Sequence, residues 1–115
     1  MMEKKIALKM FEALSSEVRL DVYRLLVKHG ETGLVAGEIA TILDIPNTNL
    51  SFHLKGLVHS EMLYVEQEGR FLRYKANLDM MLSLVDFLTE ECCFNNPEQC
   101  QSLRKKHPKA DALLD

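Results

Sequence analysis

The sequence predicts an α/β fold that is mainly α, with about five helices and a two-stranded β-hairpin, and three observations carry that prediction. Apolar residues recur at helical spacing through most of residues 2–93. Over residues 62–76 the period falls to two, on either side of Glu68-Gly69, which reads as a tight turn. Midway along the chain, two short helical segments are separated by no more than Asp44-Ile45-Pro46. A chain of 115 residues fits one domain with a small core, a size that favours borrowing burial from a partner.

Each element has its own signal. Residues 2–14 set Ala7, Met10, Phe11 and Leu14 at helical spacing, with Lys4, Lys5 and Lys9 elsewhere on the wheel. Ser15 reads as the N-cap of a second helix, about 16–28, in which Val18, Val22, Leu25 and Leu26 turn inward and Glu17 complements the positive end of the dipole. Gly30 and Gly33 bound a loop. A third helix, roughly 36–43, carries Ile39, Ala40 and Leu43 inward; Pro46 then breaks the run and suits the start of a fourth helix, about 47–59. That helix has Leu50, Leu54, Leu57 and Val58 on its inner stripe and Asn47, Thr48, Asn49, Ser51, Phe52, His53 and Lys55 outside. Strands follow at 62–67 and 70–76, where Leu72, Tyr74 and Ala76 alternate with Arg73 and Lys75.

Asn77 caps a last long helix, about 78–93, that is apolar on two sides. Leu78, Met81, Leu82, Val85 and Leu88 make one face, and Met80, Leu84 and Phe87 the other. One face must cover the domain itself. The economical cover for the other is the same helix of a second copy, in a twofold contact that residues 2–14 can extend, so a homodimer is expected. Asn95-Asn96-Pro97 ends the helix, and the tail to Asp115 reads as polar and partly mobile.

Two short helices joined by a three-residue turn, the second with a hydrogen-bonding outer face, describe a helix-turn-helix, and the hairpin after it a wing. Asn, Ser and Thr side chains on such a face suit base edges and phosphates, and Arg70, Arg73 and Lys75 on the hairpin suit nearby phosphates. Double-stranded DNA is the partner this order of elements predicts; a winged helix used solely as a protein-interaction module is the bland alternative. The net charge of −3 decides nothing, because residues 76–115 carry four Lys/Arg against seven Asp/Glu while residues 47–75 carry four against three. No Ser-His-Asp order, phosphate-cradling glycine loop or carboxylate cluster suggests an enzyme. No apolar run approaches the roughly 20 residues that a bilayer requires, and the start MMEKKIALK lacks a signal peptide's apolar stretch. The expected setting is the cytoplasm, with no membrane partner.

Ala13-Leu14-Ser15-Ser16-Glu17-Val18-Arg19-Leu20 resembles the opening motif of the ArsR/SmtB family of metal-responsive repressors. Leu50-Ser51-Phe52-His53-Leu54-Lys55-Gly56-Leu57 resembles that family's recognition-helix signature, and Glu68-Gly69-Arg70 through Tyr74 its wing. The resemblance covers about residues 6–90. It implies a homodimeric winged helix with each fourth helix in a major groove of an imperfect inverted repeat. Two departures stand out. Asp44 occupies a turn position often filled by Gly, and it can adopt a left-handed conformation at some cost. Phe52 stands where Arg is frequent, so operator sequences do not transfer from relatives. His53 reads as structural or phosphate-contacting rather than as a metal ligand.

The remaining chemistry is Glu91-Cys92-Cys93-Phe94-Asn95-Asn96-Pro97-Glu98-Gln99-Cys100. In a reducing compartment three cysteines do not make a disulfide framework. A cysteine pair at a loosening helix end, with the Asn-Asn-Pro turn folding the chain back, would converge with Cys100 on a three-sulfur site. Such a site favours thiophilic ions, and its trigonal form suits pyramidal As(III) or Sb(III), whereas structural zinc wants a fourth ligand, for which His107 is the candidate. The segment is similar to the C-terminal Cys-Cys…Cys group of arsenite-sensing relatives. The family's other sensor sites are missing: Leu34-Val35-Ala36-Gly37-Glu38 has no cysteine pair, and the last helix has no paired His. The alternatives are a disulfide switch between Cys100 and Cys92 or Cys93, and three incidental cysteines.

The expectation is therefore a repressor released from operator DNA when As(III), or Sb(III), binds Cys92, Cys93 and Cys100. Residues 1–94 would form the DNA-binding and dimerisation domain, and 95–115 a tail contributing to the inducer site. The alternative is a redox-responsive winged-helix repressor.

Overall fold

The computed structural model describes residues 2–91 and 96–108. Helices α1 (Lys4–Leu14) and α2 (Glu17–His29) lead into a single 3-10 turn at Gly30–Thr32 and a two-residue strand β1 (Leu34–Val35). Helices α3 (Ala36–Leu43) and α4 (Asn47–His59) follow, then strands β2 (Leu63–Glu68) and β3 (Phe71–Ala76), and helices α5 (Leu78–Thr89) and α6 (Pro97–Lys106). The two middle helices occupy the predicted residues, and the mainly α winged architecture is the one expected. Among the described residues it carries six helices and three strands, in place of five and two.

The cap of α2 is Ser16 rather than Ser15: the Ser16 hydroxyl accepts from the Arg19 amide at 3.4 Å, while Ser15 donates back to the Glu12 carbonyl at 2.7 Å and closes α1. Adjacent serines share the work of ending one helix and starting the next. Asp44 takes the left-handed conformation (φ 53°, ψ 52°) that the turn demands, and the Ile45 amide donates to the Ala40 carbonyl at 3.0 Å. Glu38 accepts from the Val35 amide at 3.0 Å, the N-terminal half of a capping box for α3.

The wing is part of a three-stranded antiparallel sheet in the order β1-β3-β2. Leu34 pairs with Tyr74 and Val35 with Arg73 on one edge of β3; Glu66 pairs with Arg73 and Glu68 with Phe71 on the other. The turn sits at Gly69-Arg70, not Glu68-Gly69, with Gly69 supplying the positive φ of 64°. At Gly33 (φ 62°, ψ −172°) any Cβ would lie 2.5 Å from the Tyr74 carbonyl oxygen, so β1 can approach β3 here because that position carries no side chain.

The core lies where α1, α2, α3, α4 and the base of the sheet converge: Met10, Val22, Leu26, Ile39, Leu50, Leu54, Leu57, Met62 and Leu63 are sealed from solvent. From α5, Leu84 joins them, with Met80 and Phe87 packed alongside. The opposite side of α5 stays open at Leu78, Leu82 and Leu88, as the two-sided pattern anticipated. Asn77 ties this helix to the wing: its amide donates to the Met62 carbonyl at 2.9 Å, its Nδ2 to the Glu61 carbonyl at 3.0 Å, and its Oδ1 accepts from the Met80 amide at 3.3 Å.

Two expectations about the C-terminal part need correction. The helix predicted to run to about residue 93 ends at Thr89, and residues 97–106, read as part of a polar, partly mobile tail, form α6. Asn96 caps α6 through its Oδ1, which accepts from the Gln99 amide at 3.0 Å; Pro97 opens the first turn and Arg104, Lys105 and Lys106 close the last.

Candidate nucleic-acid interface

Helix α4 presents a face of donors and acceptors on a rigid base. Leu50, Leu54 and Leu57 hold its inner stripe in the core, and Asn47, Thr48, Asn49, Ser51, Phe52 and Lys55 are all exposed. No Asp or Glu occurs in Asn47–His59, so nothing on this helix repels an anion. Phe52 is 71% exposed, the most exposed of the large apolar side chains among the described residues.

His53 is half-buried and held from behind. Arg19 Nη1 lies 3.2 Å from His53 Nδ1, and Arg19 Nε donates to the Ala13 carbonyl at 2.6 Å. An arginine can only donate, so Nδ1 is the acceptor and the ring's proton sits on Nε2. Burial, and then the charge of Arg19, lower the His53 pKa below its ordinary value, which keeps the ring neutral. The Phe52 ring meets the His53 ring edge-on, with centroids 5.5 Å apart and planes at 71°. Arg19 was not among the predicted site residues. Its signal was a lone arginine inside the motif at the start of α2, whose partner comes from 34 positions away.

The wing is arranged differently. Arg73 forks onto Glu68, Nε to Oε2 and Nη2 to Oε1, both at 3.1 Å, and its Nη1 donates to the carbonyls of Thr32 at 3.2 Å and Gly33 at 3.4 Å. Lys75 pairs with Glu66 at 3.0 Å, and its side chain is only 12% exposed. Hydrogen bonds from Arg73, reinforced by its charge, hold Glu68 below the usual carboxylate range. Arg70, at the tip of the turn, is exposed. The structure thus groups Asn47, Thr48, Asn49, Ser51, Phe52, His53 and Lys55 on one helix, while Arg73 and Lys75 are engaged within the wing and Arg70 stands at its end.

Of the three cysteines, Cys92 and Cys93 lie outside the described residues. Cys100, on the first turn of α6, is buried (4% exposed) and disulfide-bonded. Among the described residues, no group of three or more His, Cys, Asp or Glu side chains is placed to hold a metal ion, and no helix is long and apolar enough to cross a membrane.

These features define a winged helix-turn-helix DNA-binding protein. Residues 14–66 match a family model described as a helix-turn-helix domain. The chain is 29% identical over 83 residues to the arsenical resistance operon repressor of Bacillus subtilis (strain 168), covering 72% of this chain and 74% of that one. Among solved structures it is similar to an ArsR-like transcriptional regulator from Rhodococcus sp. RHA1, with a TM-score of 0.68 at 21% identity, over 90% of this chain and 93% of that one. It is also similar to the AntR antimony-specific transcriptional repressor, with a TM-score of 0.57 at 21% identity, over 83% and 81% of the two chains. Residues 14–66 thus carry a helix-turn-helix domain, and the chain shares the fold of ArsR-like transcriptional regulators.

Proposed function

We propose that the chain is a cytoplasmic, homodimeric repressor that grips operator DNA with α4 and the wing tip and lets go when As(III) or Sb(III) binds Cys92, Cys93 and Cys100. The observation that carries the DNA half is the outer face of α4: seven polar or aromatic side chains, no carboxylate, and a buried leucine stripe behind them. In this reading Asn47, Thr48, Asn49, Ser51 and Phe52 face base edges, and Lys55 and Arg70 neutralise phosphates. His53 sets the helix through Arg19, and Arg73 and Lys75 brace the wing that carries Arg70. The dimer is supported by the open side of α5 (Leu78, Leu82, Leu88) together with exposed Leu8 and Phe11 on α1. Residues 1–94 then serve as the reading and pairing unit, and 95–115 as the inducer tail.

Three thiolates around one pyramidal ion match the chemistry of As(III) and Sb(III). Support comes from the names of two relatives, an arsenical resistance repressor and an antimony-specific repressor. A coupling of about 1–3 kcal/mol between inducer and DNA would weaken binding by roughly 5- to 150-fold. The disulfide-bonded state of Cys100 favours a second reading, in which oxidation of the same sulfurs is the signal. One mobility-shift series separates them, using DNA selected from a random pool by the reduced full-length protein. Arsenite should release DNA from the wild type but not from Cys100→Ser or Cys92→Ser. Release by peroxide without metalloid, and none by arsenite, would replace the first reading with the second.

A further inference from the structure

Phe52 is the feature of the α4 face that hydrogen bonding does not account for. An apolar ring exposed at 71%, amid Thr48, Asn49, Ser51 and Lys55, gains nothing from water. Its own helix turns the residues it buries, Leu50 and Leu54, to the opposite side, so the ring stands apart from the core stripe of α4. The ring is also held in place: its edge contact with His53 rests on the Arg19 hydrogen bond, and Arg19 is pinned in turn to the Ala13 carbonyl. A pre-positioned ring loses little freedom on binding.

The neighbours of Phe52 restrict what can cover it. A helix with Lys55, two histidines and no carboxylate suits a polyanion, and a row of Asn, Thr and Ser suits base edges. In a major groove the edges of the base pairs are hydrogen-bonding groups, with one apolar exception, the C5-methyl of thymine. We propose that Phe52 is a specificity-determining residue that packs on the methyl of one thymine in each operator half-site. This inference rests on the reading of α4 as the DNA-reading helix.

Removing a single buried methyl should weaken binding about fourfold for each half-site. The test uses DNA selected from a random pool by the full-length protein, with each thymine in turn replaced by uracil, which pairs identically and lacks only the methyl. In the wild type, one position per half-site should lose about fourfold on substitution. Phe52→Ala should bind the thymine-containing DNA correspondingly less well and should be indifferent to uracil at that position, while thymine elsewhere behaves as in the wild type. Uracil substitution without effect at every position, or an equal loss in wild type and Phe52→Ala, would overturn the proposal while leaving the DNA-reading role of α4 intact. Failure of the protein to select any DNA would overturn both.

Discussion

Helix α4, read from sequence as a hydrogen-bonding face, and the wing, read as its basic companion, are built on opposite principles. The helix leaves its polar side chains open to solvent and fixes one of them, His53, from behind through Arg19. The wing closes its cations on itself, Arg73 on Glu68 and Lys75 on Glu66, and exposes Arg70 at the tip. Counting positive residues therefore overstates what the wing offers to a phosphate. On a helix, the sequence distance between side chains tells which share a face. In a hairpin that information depends on register, and cross-strand partners two positions off the direct pair reach each other diagonally.

The largest test of this contrast concerns what holds each part together. Leu54→Ala should destabilise the protein by about 2–5 kcal/mol, because it opens a cavity beneath α4. Gly33→Ala should cost about 3 kcal/mol, since it combines a backbone region nearly exclusive to glycine with a collision against the Tyr74 carbonyl. Denaturant melts of both variants would measure this. A Gly33→Ala protein as stable as the wild type would show that the root of the wing is not the tight joint described above.

Salt dependence of DNA binding gives a middle-sized test. Lys55→Gln should lower the slope of log affinity against log salt by about one, whereas Lys75→Gln should change it by much less, because the Lys75 charge is already paired. Equal slopes for the two variants would erase the distinction between helix and wing.

The smallest effect is a pH dependence. The folded His53 pKa lies below its unfolded value near 6.5, so the unfolded chain binds the proton more readily. The contribution of this histidine to stability is complete above about pH 6.5 and is lost as the pH falls through that value towards the folded one. His53→Gln should flatten that part of a stability-versus-pH curve; an unchanged curve would show that the Arg19–His53 contact is not what sets it.

Much of the reading half was legible in the residues. The bounds of α3 and α4 follow from apolar spacing and from Pro46, and Asp44 adopts the left-handed geometry that its place in the turn required. What was missed has physical causes. Strand β1 is two residues long, too short for any period to register. Helix α6 has almost no apolar stripe, so a hydrophobic pattern cannot announce it; its signals are local ones, the Asn96 cap and Pro97. The ion pairs of the wing depended on one residue of turn placement. With the turn at Glu68-Gly69 Tyr64 would face Arg73, and with it at Gly69-Arg70 Glu66 does. Arg19 was invisible as a support because nothing in sequence links it to His53.

The short strand β1 has a mechanical consequence. It joins the first helix of the helix-turn-helix directly to the central strand of the wing, through Leu34 with Tyr74 and Val35 with Arg73. At the other end of that strand, Asn77 bolts the start of α5 to the loop beneath the wing. Helix pair and wing are thus joined through one sheet, and the start of α5 is tied by hydrogen bonds to the loop at its base. In the proposed reading, a push on α5 would then be passed to the wing and α4 together, and the spacing of the two DNA-reading heads is what an inducer would have to change.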